Sequence, residues 1–381
     1  MRVAFHAPLK PPDAARPSGD RRMARLLLDA LEGAGHTVEL ASRLRTRDAQ
    51  GDAGRQARLA ALGNRLAARY VRAVIDGRRP RPDLWFTYHL YYKAPDRIGP
   101  AVAEALGIPY VVAEASVAHK RADGPWDSGH RAVLDALGRA DLVIGFNTRD
   151  AALVEAALKH GVPYGYIRPF LDPVAIPERE AARRAWGDRS GFDAGVPWLL
   201  AVGMMRPGDK TESYRVLGAA LTRLLDRPWR LMLVGDGDGR AAVEAALAPI
   251  ADRVYWAGTM AQDTLAELYA AADLFVWPAI REAYGMALLE AQTAGLPAVA
   301  GDAGGVSGIL RDGITGLLAP EGDAAAFADQ VARLLDDPAW RRTMGEAARR
   351  IMAAEHTLDR ASAALDGWLR PLAGPQIGDN A

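Results

Sequence analysis

Residues 281–299 read REAYGMALLEAQTAGLPAV. The stretch is a loop that passes into a helix near Tyr284 or Gly285, with the apolar run from Ala298 to Ala300 forming the next strand. Glu282 then stands before the helix and Glu290 within it. The amides of Gly285, Met286 and Ala287 carry the positive end of the helix dipole, which suits a phosphate. At the rise of a helix the two carboxylates lie roughly 9 to 12 Å apart. That span fits a nucleotide sugar with its diphosphate in the middle. It exceeds the roughly 5 to 9.5 Å between the paired carboxylates of glycoside hydrolysis.

The same alternation extends in both directions. Trp198 to Val202, Arg230 to Val234, Val254 to Trp256 and Leu274 to Val276 are short buried-strand runs, each followed by a Gly-rich turn or a helical segment. The first half has its own set: Val3 to Ala7, Thr37 to Leu40, Leu84 to Thr87, Tyr110 to Ala113 and Leu142 to Phe146, with a helix from Asp20 to about Leu31. Strands alternating with helices imply parallel sheets covered on both faces. We expect an α/β protein of two doubly wound, Rossmann-like domains facing across a cleft. Residues 1–172 form the first domain and 197–356 the second. Residues 173–196, rich in Pro, Gly and charge, read as a linker, and 357–381 as a C-terminal helix crossing back to the first domain.

Composition agrees. The 381 residues suffice for two domains of about 150 to 200 each. Basic and acidic side chains balance at 47 each, which gives no support for nucleic-acid binding. Cysteine is absent, so disulfides and thiolate chemistry are excluded. The N-terminal apolar run is short for a signal peptide, and nowhere do about 18 uncharged apolar residues run together, so a cytoplasmic protein is expected. One segment, 53–79, carries Arg55, Arg58, Arg65, Arg69 and Arg72 at helical spacing beside Leu59, Leu62, Leu66 and Val74. It reads as a solvated basic face, with peripheral contact to an anionic membrane as the sharper alternative.

The order Glu282, Tyr284, Gly285, Glu290, continued by TAGLPAVAGDAGGVSGILRDGITGLLAP over 293–320, resembles the signature of retaining glycosyltransferases of family four. The resemblance implies the GT-B fold and a nucleotide-diphosphate-sugar donor, with no metal or other cofactor. It implies that Glu290 holds the ribose hydroxyls and that Glu282, with the loop after it, contacts the transferred sugar. RVYWAG, residues 253–258, resembles the base-recognition strand, which makes Tyr255 a donor residue. Histidine is expected in a Thr-x-His pattern after a central strand of the first domain. PYVVAEASVAHK, residues 109–120, has Ala115 there instead.

A nucleoside diphosphate leaves as a weak base, so its departure needs positive charge more than a proton. AVGMMRPGDKTESY, residues 201–214, ends a strand at Gly203 and offers Arg206 as a planar fork and Lys210 as a movable charge. Met204 stands where the family has Arg. Gly235, after the strand Leu231 to Val234, lies at the carboxyl edge where open α/β sheets bind ligands. In the first domain, Ser18 reads as a helix N-cap, and the resemblance implies that Gly19 lets backbone amides approach the phosphate and the acceptor, with Asp20, Arg21 and His6 as weaker candidates. His89, Glu114, His119 and Lys120 are the acceptor candidates. Tyr88 to Lys93 offer aromatic faces and one cation, suited to a sugar ring bearing an anion.

The expected activity is metal-independent, retaining transfer of a sugar to a hydroxyl acceptor, which is a glycan, a lipid-linked molecule or a small molecule. Two alternatives stay open: a nucleotide-sugar epimerase on the same architecture, and an inactive nucleotide-sugar-binding subunit, for which the replaced histidine at Ala115 speaks.

Overall fold

The computed structural model describes residues 1–15, 18–172 and 175–372. The chain divides into two compact units, Met1–Arg168 with the segment from Leu358, and Pro169–Thr357. Each is built on a six-stranded parallel sheet.

The first unit runs β1 (Arg2–His6), α1 (Gly19–Gly33), β2 (Thr37–Ser42), α2 (Ala53–Ile75), β3 (Leu84–Leu90), α3 (Gly99–Leu106), β4 (Tyr110–Ala115), α4 (Asp127–Leu137), β5 (Leu142–Gly145), α5 (Ala151–Glu155) and β6 (Tyr164–Tyr166). Its strand order is β2-β1-β3-β4-β5-β6. The central strands are apolar on both faces because helices cover both. Phe5, Trp85, Phe86, Val111, Val112, Val143 and Ile144 are all inaccessible to solvent. The edge strand β2 is only half-buried. β6 is three residues, Tyr-Gly-Tyr, too short to show a period in the sequence.

The second unit begins with a helix where a linker was expected: α6 (Arg179–Ser190). Its charges are structural. Glu178 caps it by accepting from the amides of Glu180 and Ala181. Arg179 and Arg183 donate to the two oxygens of Asp273 at 2.7 and 2.9 Å. Trp186 and Ala182 turn inward against α9 (Gln262–Ala271). The charge-rich composition that suggested a linker is therefore one helix face bound to one aspartate. The unit's other elements, in chain order, are β7 (Trp198–Val202), α7 (Asp209–Thr222), β8 (Arg230–Val234), α8 (Arg240–Leu247), β9 (Val254–Gly258), β10 (Leu274–Trp277), α10 (Met286–Thr293), β11 (Ala298–Gly301), β12 (Gly316–Ala319), α11 (Ala324–Asp336) and α12 (Pro338–Glu355). Its sheet order is β12-β11-β10-β7-β8-β9.

The final helix α13 (Leu358–Leu369) belongs to the first unit and packs on α1, burying Ala361, Leu365 and Leu369. The first unit thus ends at Arg168 and resumes at Leu358, rather than ending at residue 172. Residues 173–174 and 373–381 of the expected linker and tail lie outside the described residues. On α2 the five arginines Arg55, Arg58, Arg65, Arg69 and Arg72 are exposed, while Gln56, Gly63, Ala67 and Tyr70 face the unit's core. Among the described residues no helix is long and apolar enough to cross a membrane.

Candidate active site

In the second unit the carboxyl ends of β7, β8 and β10 and the helices after them carry most of the candidate residues. α10 starts at Met286, with Gly285 as N-cap in the left-handed region at φ 74° and no side chain capping the first amides. The helix therefore starts one to two residues later than the sequence pattern indicated. A left-handed N-cap favours glycine, and the uncapped amides of its first turn are open to an anion.

The loop before α10 is tied down residue by residue. Glu282 accepts from Lys210 Nζ and, at 3.2 Å, from Trp277 Nε1. Lys210 also lies 5.0 Å above the Trp277 ring. The neighbouring Arg281, itself left-handed at φ 45°, donates through Nε to Asp209 at 2.7 Å. Two adjacent loop residues thus clasp two adjacent residues of the first turn of α7. Trp277 is fixed in turn: it is 3% exposed and packs edge-on against Tyr214, whose hydroxyl donates to the Gly203 carbonyl at 2.6 Å. A Cβ at Gly304 would stand 1.7 Å from the Glu282 carbonyl, so the glycine loop 301–308 supports the Glu282 backbone by direct contact. A Cβ at Gly235 would likewise meet the Gly203 carbonyl at 1.9 Å. Gly235 therefore serves close packing of two loops as well as any approach to a ligand.

Lysine in the first turn of a helix opposes the macrodipole. Lys210 occupies that position in α7, in a turn that also carries Asp209 and Glu212, and is held by Glu282. Arg206 does not join this group: it is exposed and its Nη2 meets Met204 Sδ. Glu290, on α10, accepts at 2.8 Å from the Tyr269 hydroxyl, which orients its carboxylate. Tyr284 is buried, and Met286 and Ala287 are half-buried. Tyr255 lies on the edge strand β9 with its ring against Phe192. Trp277 and Tyr269 escaped the sequence reading because each falls within an apolar run that reads equally well as core.

The first unit gathers a different set at the carboxyl ends of β3 and β4. His89 and Glu114 both adopt left-handed backbone, φ 64° and 59°, which is unusual for non-glycine residues. His89 Nδ1 stands 3.4 Å from Asp20 Oδ1. Glu114 Oε2 is shut from solvent with no hydrogen-bond partner, and burial pushes its carboxyl up to about 8 while His89 pulls the other way. Burial alone would lower the His89 imidazole, but Asp20, Glu114 and Asp150 together hold it above its ordinary value. Asp150 is raised by burial. The structure thus brings His89 and Glu114 into one electrostatic group with Asp20 and Asp150, next to the Ala115 position. Asp150 carried no signal in the sequence.

The other first-unit candidates fall elsewhere. Ser18 caps α1, its Oγ accepting from the Arg21 amide at 3.2 Å, and Gly19 is the first residue of that helix. His119 and Lys120 are exposed in a 3-10 turn, with His119 edge-on to His130. His6 is a core residue. Fully buried, it contacts Asp96 at 3.2 Å and the Leu44 carbonyl at 3.2 Å. Asp96 also accepts from the Thr87 hydroxyl at 2.6 Å and from the amides of Ile98 and Gly99. Burial opposes the Asp96 charge, but His6, Thr87 and the Gly99 amide hold the carboxyl far below its ordinary value. Among the described residues no group of three or more His, Asp and Glu side chains is arranged to hold a metal ion.

Residues 196–337 match the model of the family Glycosyl transferases group 1. The second unit is therefore a glycosyl transferases group 1 domain, and the whole chain has the two-domain α/β architecture of GT-B. The chain is similar over 98% of its length to sucrose-phosphate synthase from Thermosynechococcus elongatus, with a TM-score of 0.74 at 21% identity over 99% of that chain. It is similar over 97% to Anabaena Alr3699/HepE, solved with UDP and glucose, with a TM-score of 0.73 at 17% identity over 100% of that chain. In sequence it is 34% identical over 226 residues to alpha-D-kanosaminyltransferase of Streptomyces kanamyceticus, covering 59% of this chain and 57% of that protein. It is 30% identical over 283 residues to D-inositol 3-phosphate glycosyltransferase of Nocardia farcinica, covering 70% of this chain and 62% of that protein. The matched region thus spans less than two thirds of either relative.

Proposed function

We propose that this protein is a retaining, metal-independent glycosyltransferase of the family-four type, moving a sugar from a nucleotide diphosphate sugar to a hydroxyl acceptor. The observation that carries the reading is Lys210, set against the helix dipole in the first turn of α7 and held by Glu282. Besides clasping the loop to the helix, a cation there would neutralise charge developing on a departing diphosphate. The amides at the start of α10 add donors of the same sign. Glu290, oriented by Tyr269, would accept from the ribose hydroxyls. Glu282 and the Gly304 loop would meet the transferred sugar.

In the reaction the bond between the anomeric carbon and the phosphate oxygen breaks, the acceptor oxygen bonds to that carbon on the same face, and the acceptor proton passes to the departing phosphate. No side chain is assigned as nucleophile. Support comes from the relatives, whose names describe transfer of kanosamine and glycosylation of inositol 3-phosphate, and from HepE, which was solved with UDP and glucose. A thermal-shift series with UDP, GDP and ADP sugars, each with and without magnesium, tests the donor site. We expect one base to stabilise the protein without magnesium, and the stabilisation to disappear in Glu290→Ala. A folded protein that shifts with no donor at millimolar concentration would overturn the assignment.

A further inference from the structure

Cations stacked on aromatic rings are common in this protein, and nearly all of them have an oxygen partner besides the ring. Arg183 has Asp273, Arg240 has Glu244, and Lys210 has Glu282. Lys93 and Arg121 do not. Each lies over the same two rings: Lys93 Nζ is 5.7 Å from the centre of Tyr92 and 5.2 Å from that of Trp126, and Arg121 is 5.1 and 5.2 Å from the same centres. Among the described residues neither side chain meets a carboxylate or a carbonyl, and Arg121 Nε is buried with no hydrogen-bond partner.

Two like charges that share one pair of rings repel each other, and a buried guanidinium N–H without an acceptor is costly. Neither Asp48 nor Asp127 makes a hydrogen bond or ion pair with either cation. Asp48 is taken by Gln56 at 2.9 Å, and Asp127 by Arg131 at 2.7 Å. The arrangement is also rigid. Trp126 Nε1 donates to the Asp48 carbonyl at 3.1 Å, and the Asp48 amide to the Lys93 carbonyl at 2.8 Å. Tyr92 and Lys93 follow β3, and Arg121 follows β4, so the group lies at the carboxyl ends of neighbouring parallel strands, where open α/β sheets take their ligands.

We propose that Lys93 and Arg121, on the Tyr92 and Trp126 rings, form an anion-binding subsite of the first unit, and that the acceptor is a hydroxyl compound bearing a phosphate or a carboxylate. The second clause rests on the glycosyltransferase reading, whereas the first does not. An anion between the two cations would supply the acceptor that Arg121 Nε lacks, and the aromatic faces would flank the ring that carries it.

The first arm of the test is binding. The indole N–H of Trp126 is followed by NMR in the full chain labelled with 15N-tryptophan, its signal assigned by Trp126→Phe. Inorganic phosphate and acetate are titrated against chloride at equal ionic strength. A saturable shift with phosphate or acetate, absent with chloride and lost in Lys93→Gln/Arg121→Gln, is expected; the stronger of the two anions names the group. No shift in the wild-type protein, or one that the double variant retains, overturns the subsite.

The second arm is transfer to alcohols offered in matched neutral, phosphorylated and carboxylated forms. Charged members should be preferred, and the double variant should raise their KM by at least about tenfold, the effect of losing a charged hydrogen-bond partner, with donor KM unchanged. Equal use of neutral members overturns the acceptor class. A Trp126 response without transfer to any alcohol would count against glycosyl transfer and leave the anion subsite supported.

Discussion

The two sheets of this protein are both six-stranded and parallel, yet they hold charge at their carboxyl edges by opposite means. The second unit sets ions beside others of opposite sign: Lys210 with Glu282, Arg281 with Asp209. Such pairs aim both partners. The first unit assembles Asp20, Glu114 and Asp150 around a single imidazole, with one Glu114 oxygen unpartnered. There, burial works against charge, and the protonation states of the group adjust. A site that must present fixed positive charge to a diphosphate suits the first arrangement. A site that must meet the hydroxyls of an acceptor through hydrogen bonds suits the second.

The comparison would break most visibly at Lys210. Replacing Lys210 by Ala should lower kcat by about 10²- to 10³-fold, the size of effect seen when one preorganised charge-stabilising donor is removed. The unfolding midpoint should hardly move, because the pair is partly exposed. Steady-state transfer with the donor identified by thermal shift gives the first number, and a denaturant titration the second. A wild-type rate would refute the assignment of positive charge to Lys210. Asp96→Ala should show the reverse pattern in the first unit. It leaves the Thr87 hydroxyl, two amides and His6 without their acceptor in a fully buried place, and should cost about 3 kcal/mol of stability or more. A loss below about 1 kcal/mol would mean that water or a neighbour replaces the carboxylate. The effect on kcat should be far smaller than that of Lys210→Ala.

How far the sequence could be read follows from the same contrast. In the second unit the acidic residues at 282 and 290 and the glycine between them fall in one short stretch, and Lys210 follows the end of β7 by a short loop, so each was legible locally, although Lys210 meets Glu282 across 72 residues. β7 and β8 end where the apolar runs end. In the first unit the partners are distant in the chain. His6 meets Asp96 across 90 residues, and Asp150 joins His89 and Glu114 from beyond another strand. Nothing local marks such a contact, and a histidine at a strand end reads as a site residue as easily as a core one. The left-handed backbone at Glu114 is also invisible in sequence, because that conformation is advertised by glycine and, more weakly, by asparagine, aspartate and histidine. Composition misled once, over α6, where arginines bound to one aspartate resemble the charge of a linker.

Glu114 offers the finest test, because the effect is one of pH dependence rather than of loss. Its folded carboxyl titrates near 8, raised by burial, whereas in the unfolded chain it titrates near 4.5. Between these values the folded state holds a proton that the unfolded state has released. The slope of stability with pH follows protons bound in the unfolded state less those bound in the folded state, so this group makes stability fall as pH rises from about 4.5 to about 8. Below 4.5 both states are protonated and the contribution is flat. Glu114→Gln keeps the shape of the protonated acid and removes the titration. The variant should therefore gain stability relative to wild type as pH rises through this window, and the two should converge at its acid end. Denaturant titrations at intervals across the window measure the difference. A difference that does not change with pH would mean that Glu114 is ionised in the folded protein and that His89⁺ neutralises it, which would bring the first unit's edge to the paired-ion pattern of the second.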